Sequence, residues 1–63
     1  MTAEQFTRWL AEMKSAGLAR SDAECGRLLG KSPDTIVRMK RDGTDITVAL
    51  ACAAILAGLE PYQ

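Results

Sequence analysis

The stretch from Ser21 to Met39 reads SDAECGRLLGKSPDTIVRM, and the rest of the chain can be interpreted outward from it. Ser21 is suited to begin a helix as its cap, and Gly30 supplies the positive φ angle of a tight turn that ends it. Ser32 can cap the following helix, and Gly26 is a small residue where that second helix would press closest. This order of residues is typical of a helix-turn-helix layout.

A longer helix is predicted before this stretch. Thr2 and Gln5 have the spacing of a capping box, in which each side chain satisfies the backbone N–H of the other residue. Ser21 and Glu24 repeat that spacing at the start of the second helix. Apolar residues then recur at i, i+3, i+4 and i+7 on one face of the first helix, namely Phe6, Trp9, Leu10 and Met13. We expect this face, including Trp9, to belong to the core.

A fourth helix is predicted after the motif. It begins near Thr44 or Asp45, extends over about residues 45–58 and ends at Gly58, before Pro61. No stretch alternates apolar and polar residues with the period of two that indicates a strand. We therefore expect an all-α fold, with a single domain over residues 1–63 and the helix-turn-helix motif over about residues 21–42.

Composition excludes several classes of protein. The 63 residues include two cysteines and no histidine, too few for a disulfide framework, a zinc site or a histidine-based catalytic site. We expect Cys25 and Cys52 to be buried thiols, and we expect neither enzyme activity nor a cofactor. The longest apolar run, Val48 to Leu59, is shorter than the roughly 20 residues of a membrane span. Met1 to Glu4 do not resemble a signal peptide, so a cytoplasmic location is expected.

The charges are unevenly distributed although eight basic residues balance eight acidic ones. Between Arg27 and Arg41 there are five basic residues and only one acid, Asp34, which leaves a local excess of four positive charges. A basic patch on one face is typical of phosphate contacts, whereas an ordinary solvated helix face is the alternative. Charge alone does not decide between them.

The same stretch resembles the Cro-like and XRE-like helix-turn-helix regulators of phages and bacteria. The residues that carry this likeness are Ser21, Gly26, Leu28-Leu29-Gly30, Ser32, Thr35-Ile36, Arg38 and Met39. The likeness covers about residues 20–59 and implies a compact lambda-repressor-like bundle of four helices, or five as in many members. The chain departs from the family at Gly26, where alanine is usual, and at Lys31, where the turn usually carries an apolar residue.

The resemblance implies that helix 3, about Pro33 to Asp42, is a recognition helix in the major groove. Arg38 would contact a guanine through its planar fork. The full set implied to contact bases is Pro33, Asp34, Thr35, Val37 and Arg38. Asp34 has a second interpretation, as a helix-start charge. The set implied to contact phosphates is Ser21, Arg27, Lys31, Ser32, Lys40, Arg41 and Thr44.

Helix 4 has more apolar residues than one core face needs. Val48, Cys52, Ile55 and Leu59 form one stripe, and a nearly opposite stripe begins at Ile46. A helix that is apolar on both sides is either enclosed or shared with another chain. We expect a homodimer on a palindromic operator; the alternative is a monomer that packs these residues under helix 1. The predicted dimer interface is Ile46, Leu50, Ala53, Ala57, Leu59 and Tyr62.

The sequence therefore predicts a transcriptional repressor that binds double-stranded DNA and regulates its own operon. Small proteins of this build also accompany anti-CRISPR genes as their repressors, so an anti-CRISPR-associated regulator is one form that the resemblance allows. The alternative is a small phage-type protein-interaction module, an inhibitor or adaptor, built on the same scaffold. Arg38, Lys40 and Arg41 favour DNA. No residue pattern indicates a small-molecule ligand.

Overall fold

Four helices joined by short turns make up the computed structural model, which describes all 63 residues. They are α1 (Ala3–Ser15), α2 (Asp22–Leu29), α3 (Pro33–Asp42) and α4 (Ile46–Leu56). The prediction of an all-α fold with four helices is confirmed, and no fifth helix follows α4. None of the four is both long enough and apolar enough to cross a bilayer.

Each helix begins at a side chain that caps a backbone N–H of its first turn. Thr2 and Gln5 form both bonds of the predicted capping box, at 2.9 and 3.1 Å. Ser21 accepts a hydrogen bond from the Glu24 N–H at 3.2 Å, but the Glu24 side chain makes no return bond. The prediction of a second capping box was therefore right for the Ser21 bond and wrong for the bond from the Ser21 N–H to the Glu24 side chain. Asp45 caps α4, which settles where that helix begins.

A single core lies between the helices, and α1 contributes the four residues of its predicted apolar face. The Trp9 indole N–H donates to the backbone carbonyl of Cys52 at 2.9 Å, and its ring stacks on Phe6 with centroids 5.7 Å apart. Trp9 thus joins α1 to α4 and is a core residue, as predicted. The buried apolar residues are Phe6, Trp9, Leu10, Met13, Ala19, Cys25, Ile36, Met39, Val48 and Cys52.

Both thiols are fully buried and unbonded, as the sequence predicts. Removal from water raises the pKa of Cys52 to about 11 and also raises the pKa of Cys25. A raised pKa keeps each group as the neutral thiol, which is the unreactive form. Cys25 and Cys52 therefore act as small apolar side chains.

The start of the chain packs against the turn between α3 and α4. The Met1 carbonyl accepts from the Thr44 N–H at 2.8 Å, and the Met1 ammonium donates to the Thr44 carbonyl at 3.2 Å. Gly43 has φ +88°, and a Cβ atom there would lie 2.6 Å from the Met1 carbonyl oxygen. Glycine is the residue that adopts a positive φ without strain and has no Cβ atom to collide with Met1. This contact therefore requires a glycine where α3 ends.

Candidate nucleic-acid interface

The turn between α2 and α3 sets the angle between these two helices. Gly30 has φ +70°, and the Lys31 N–H then donates to the Gly26 carbonyl at 2.9 Å. Ser32 caps α3 by accepting from the Thr35 N–H at 3.3 Å. The predicted glycine turn and second cap are both present, and they hold α3 across α2.

Gly26 lies at the closest approach of the two helices. A Cβ atom at this position would lie 2.9 Å from Ile36 Cγ1 and 3.3 Å from the Lys31 carbonyl oxygen. Both distances are too short for ordinary packing, so an alanine would require Ile36 to move. The small residue predicted at this close approach is therefore present, and its need has a local cause, which is the position of Ile36.

The face of α3 opposite its core anchors is open to solvent. Ile36 and Met39 fix the helix to the core, with exposed fractions of 3% and 7%. Val37, between them in sequence, is 65% exposed. Four of the five residues predicted to contact bases are exposed, namely Pro33, Asp34, Val37 and Arg38. The fifth, Thr35, is half-buried.

Several hydroxyl groups of the predicted set already have partners. Ser21 and Ser32 accept the cap bonds of α2 and α3, and the Thr35 hydroxyl lies 3.0 Å from the Ser32 hydroxyl. Thr44 is half-buried, and its hydroxyl donates to the Asp45 carbonyl at 3.0 Å. A hydroxyl has further acceptor and donor capacity, but these groups are held in place by bonds within the chain rather than free.

Asp22 forms ion pairs that the sequence analysis did not predict. Its two carboxylate oxygens each lie 2.9 Å from a lysine ammonium, one from Lys14 on α1 and one from Lys40 on α3. The hydrogen bonds from Lys14 and Lys40 lower the pKa of Asp22, and desolvation opposes them. Partners 8 and 18 residues apart leave no local pattern that could have indicated this cluster.

The basic residues of the motif therefore fall into two groups. Lys40 is paired with Asp22, and Arg41 is paired with its exposed neighbour Asp42 at 2.9 Å. Arg27, Lys31 and Arg38 take part in none of the chain's three ion pairs and are exposed. The three unpaired side chains are the cations with the least competition for an outside anion.

A shallow hollow joins the Asp22 cluster to the exposed face of α3. Its volume is about 140 Å³, and it lies between α2 and α3. Val37 and Pro33, both predicted to contact bases, share this hollow with Asp22 and Lys40. A ligand seated on α3 at Val37 would therefore lie beside the ion pairs.

The outer face of α4 is apolar and exposed. Ile46 is 72% exposed and Leu50 is 65% exposed, while Val48 and Cys52 on the opposite side are buried. None of the six residues predicted for a dimer interface is buried under α1. Leu59 lies beyond the end of α4 and is exposed, so the prediction that it continues the helical stripe of Val48, Cys52 and Ile55 was wrong.

A groove of about 350 Å³ separates this face of α4 from α1. Ala49, Ala53 and Leu56 line its α4 side. Arg8 and Glu12 lie on its α1 side, and neither makes an ion pair within the chain. The groove thus has an apolar wall and two unpaired charges of opposite sign. A second copy related by a two-fold axis could bury the apolar wall and pair each charge with its opposite.

In comparisons with known proteins, the chain matches no family model, no curated protein and no solved structure.

Proposed function

We propose that the chain is a sequence-specific DNA-binding transcriptional repressor of the Cro-like or XRE-like kind that acts in the cytoplasm on its own gene. The observation that carries this proposal is the exposed face of α3. It presents an unpaired arginine, Arg38, beside an exposed apolar side chain, Val37, on a helix anchored from behind by Ile36 and Met39. The role is one of binding, not of catalysis.

In this proposal α3 lies in the major groove and its exposed face contacts base edges. The guanidinium of Arg38 donates two hydrogen bonds to O6 and N7 of a guanine, and Val37 packs against a thymine methyl group. The unpaired Arg27 and Lys31 contact phosphates of the DNA backbone. Those contacts position the protein without distinguishing sequences.

The repressor binds as a homodimer through the outer face of α4. Ile46 and Leu50 supply exposed apolar area, and Arg8 of one subunit faces Glu12 of the other across the groove beside Ala53. To reach two half-sites one helical turn of DNA apart, this dimer has to hold its two recognition helices about 34–36 Å from each other. The operator is then an inverted repeat.

Footprinting on the DNA upstream of the chain's own gene tests this proposal. The expected result is two protected half-sites related by a two-fold axis, with affinity that falls steeply as salt rises. Absence of any duplex binding at low salt contradicts it. Equal affinity for upstream DNA and for a random duplex contradicts sequence-specific binding in particular.

A protein-interaction module is the second candidate function. The exposed apolar side chains of α4 and of the segment after it favour this alternative, since such surfaces are typical of protein contacts. In that case the α4 face binds a different protein and α3 is a solvated helix. The two functions are separated by salt-dependent duplex binding, which only the repressor has.

A further inference from the structure

Asp22 is the only acidic side chain of this protein that holds two cations at once. Its partners come from different helices, and the side chains of Lys14, Lys40 and Asp22 are 43%, 42% and 32% exposed. The cluster links α1, α2 and α3 at the surface and carries one net positive charge. It is therefore accessible to an anion from outside.

The cluster lies where a DNA backbone would pass in the proposed complex. Asp22 and Lys40 share the hollow between α2 and α3 with Pro33 and Val37, which contact bases in the proposal above. A base edge seated on Val37 is attached to a sugar and a phosphate within one nucleotide's reach. In the proposed complex that phosphate comes nearest to the ammonium group of Lys40, whose partner Asp22 also holds Lys14.

A carboxylate and a phosphodiester offer lysine the same kind of bond. Both present anionic oxygens that accept charge-assisted hydrogen bonds, here already made at 2.9 Å. The arriving phosphate must share or replace the bonds to Asp22, and it is repelled by the Asp22 charge at short range. Like charges held this close repel each other even in water, which lowers the affinity for the phosphate several-fold.

We propose that Asp22 acts as an internal substitute for a DNA phosphate: it holds Lys14 and Lys40 in the free protein and lowers the affinity for every duplex until a phosphate takes its place. The inference rests on the proposed DNA-binding function and deepens it. It assigns Lys14 to the phosphate-binding set and gives Asp22 an opposing role. The partner is the phosphodiester backbone, so the effect is independent of sequence.

The test compares Asp22→Asn with a matched control, Glu24→Gln. Both variants remove one negative charge from the first turn of α2, but Glu24 forms no ion pair. Binding is measured on the upstream duplex and on a random duplex across a range of salt concentrations. Asp22→Asn should tighten binding to both duplexes about fivefold, the equivalent of about 1 kcal/mol. Its salt slope should steepen by about 0.9 for the added positive charge.

The control should change affinity by much less, because its charge lies outside the lysine pair. A second comparison adds Lys40→Met to the natural chain and to the Asp22→Asn variant. The loss from Lys40→Met should be larger in the Asp22→Asn background, since Asp22 competes for that lysine only in the natural chain. Thermal unfolding of each variant establishes that the fold is kept.

Each outcome has a distinct meaning. Unchanged affinity and slope in Asp22→Asn, in a protein that binds DNA, overturn this inference and leave the repressor proposal standing. Weaker binding in Asp22→Asn overturns it too, because Asp22 would then orient the lysines for DNA. Equal gains from Asp22→Asn and Glu24→Gln also overturn it. If the natural chain binds no duplex at low salt, the repressor proposal and this inference both fail.

Discussion

The recognition helix proposed here, α3, and the helix that follows it, α4, are attached to the core in the same way but differ on their outer faces. Each buries two side chains, Ile36 and Met39 in α3, Val48 and Cys52 in α4. The outside of α3 carries charged residues around Val37, whereas the outside of α4 is apolar from Ile46 onward. Packing within the chain therefore does not explain the residues on either outer face. An explanation has to come from the molecules that each face binds.

The difference also indicates which kind of partner each face suits. Removing a charged side chain such as Arg38 from water costs free energy, and only a well-placed anion compensates for that cost. Exposed Leu and Ile side chains gain about 1.5–3 kcal/mol each when fully buried. The outer face of α3 therefore suits a hydrated, charged partner, and the outer face of α4 suits an apolar one.

The largest expected effect is the loss of the proposed dimer. Leu50→Glu places a charge at the two-fold contact in both subunits, and the loss of two buried leucines alone costs about 3–6 kcal/mol of association free energy. Sedimentation at micromolar concentration should show the dimer for the natural chain and the monomer for this variant. Thr47→Glu adds the same charge to the same helix at an exposed position off the apolar stripe, and it should stay dimeric. A monomeric natural chain would contradict the proposed interface.

A smaller effect is expected from removing the anchor of α3. Ile36→Ala deletes a buried side chain that touches α2, so the free energy of unfolding should fall by about 2–5 kcal/mol. Val37→Ala alters the next residue on the exposed face and should change stability by less than about 0.5 kcal/mol. Urea denaturation measures both. A large loss of stability in Val37→Ala would mean that the outer face of α3 is already packed.

Smaller again is the effect of the arginines on DNA binding. Arg38→Ala should weaken binding to the upstream operator by about 1–3 kcal/mol and leave the random duplex nearly unchanged. Arg41→Ala should weaken both duplexes equally and reduce the salt slope. The contrast depends on Arg38 contacting a base edge and on Arg41, which must first leave Asp42, contacting only phosphate. Equal losses on both duplexes for both variants would rule out a base-contacting role for Arg38.

The sequence allowed the helices to be predicted well because their ends depend on local chemistry. Caps such as Ser32 and stops such as Gly30 act within one turn, and the apolar face of α1 has the period of a helix. Ala19 was missed as a core residue because it lies in a loop, where no periodicity marks a buried side chain. The need for glycine at Gly43 depends on Met1, which is distant in sequence.

The candidate site was only partly predictable for the same reason. The exposure of Val37 and Arg38 follows from the positions of Ile36 and Met39 along one helix. The pairing of Lys40 does not, since its partner Asp22 lies on another helix and shares its charge with Lys14 on a third. The sequence shows which basic residues are present, but only the fold determines which of them form an ion pair with an acidic residue.

The smallest expected effect is on the pH dependence of stability. The hydrogen bonds from Lys14 and Lys40 hold the pKa of Asp22 below its ordinary value, so the folded state favours the carboxylate. This stabilisation is complete above the unfolded pKa of about 3.9 and is lost as pH falls through that value toward the lowered folded pKa. Because the pairs are partly exposed, it amounts to at most about 1 kcal/mol. Urea midpoints for the natural chain and Asp22→Asn should therefore differ near neutral pH and converge in acid. A difference that persists unchanged in acid would show that Asp22 stabilises the fold by something other than its charge.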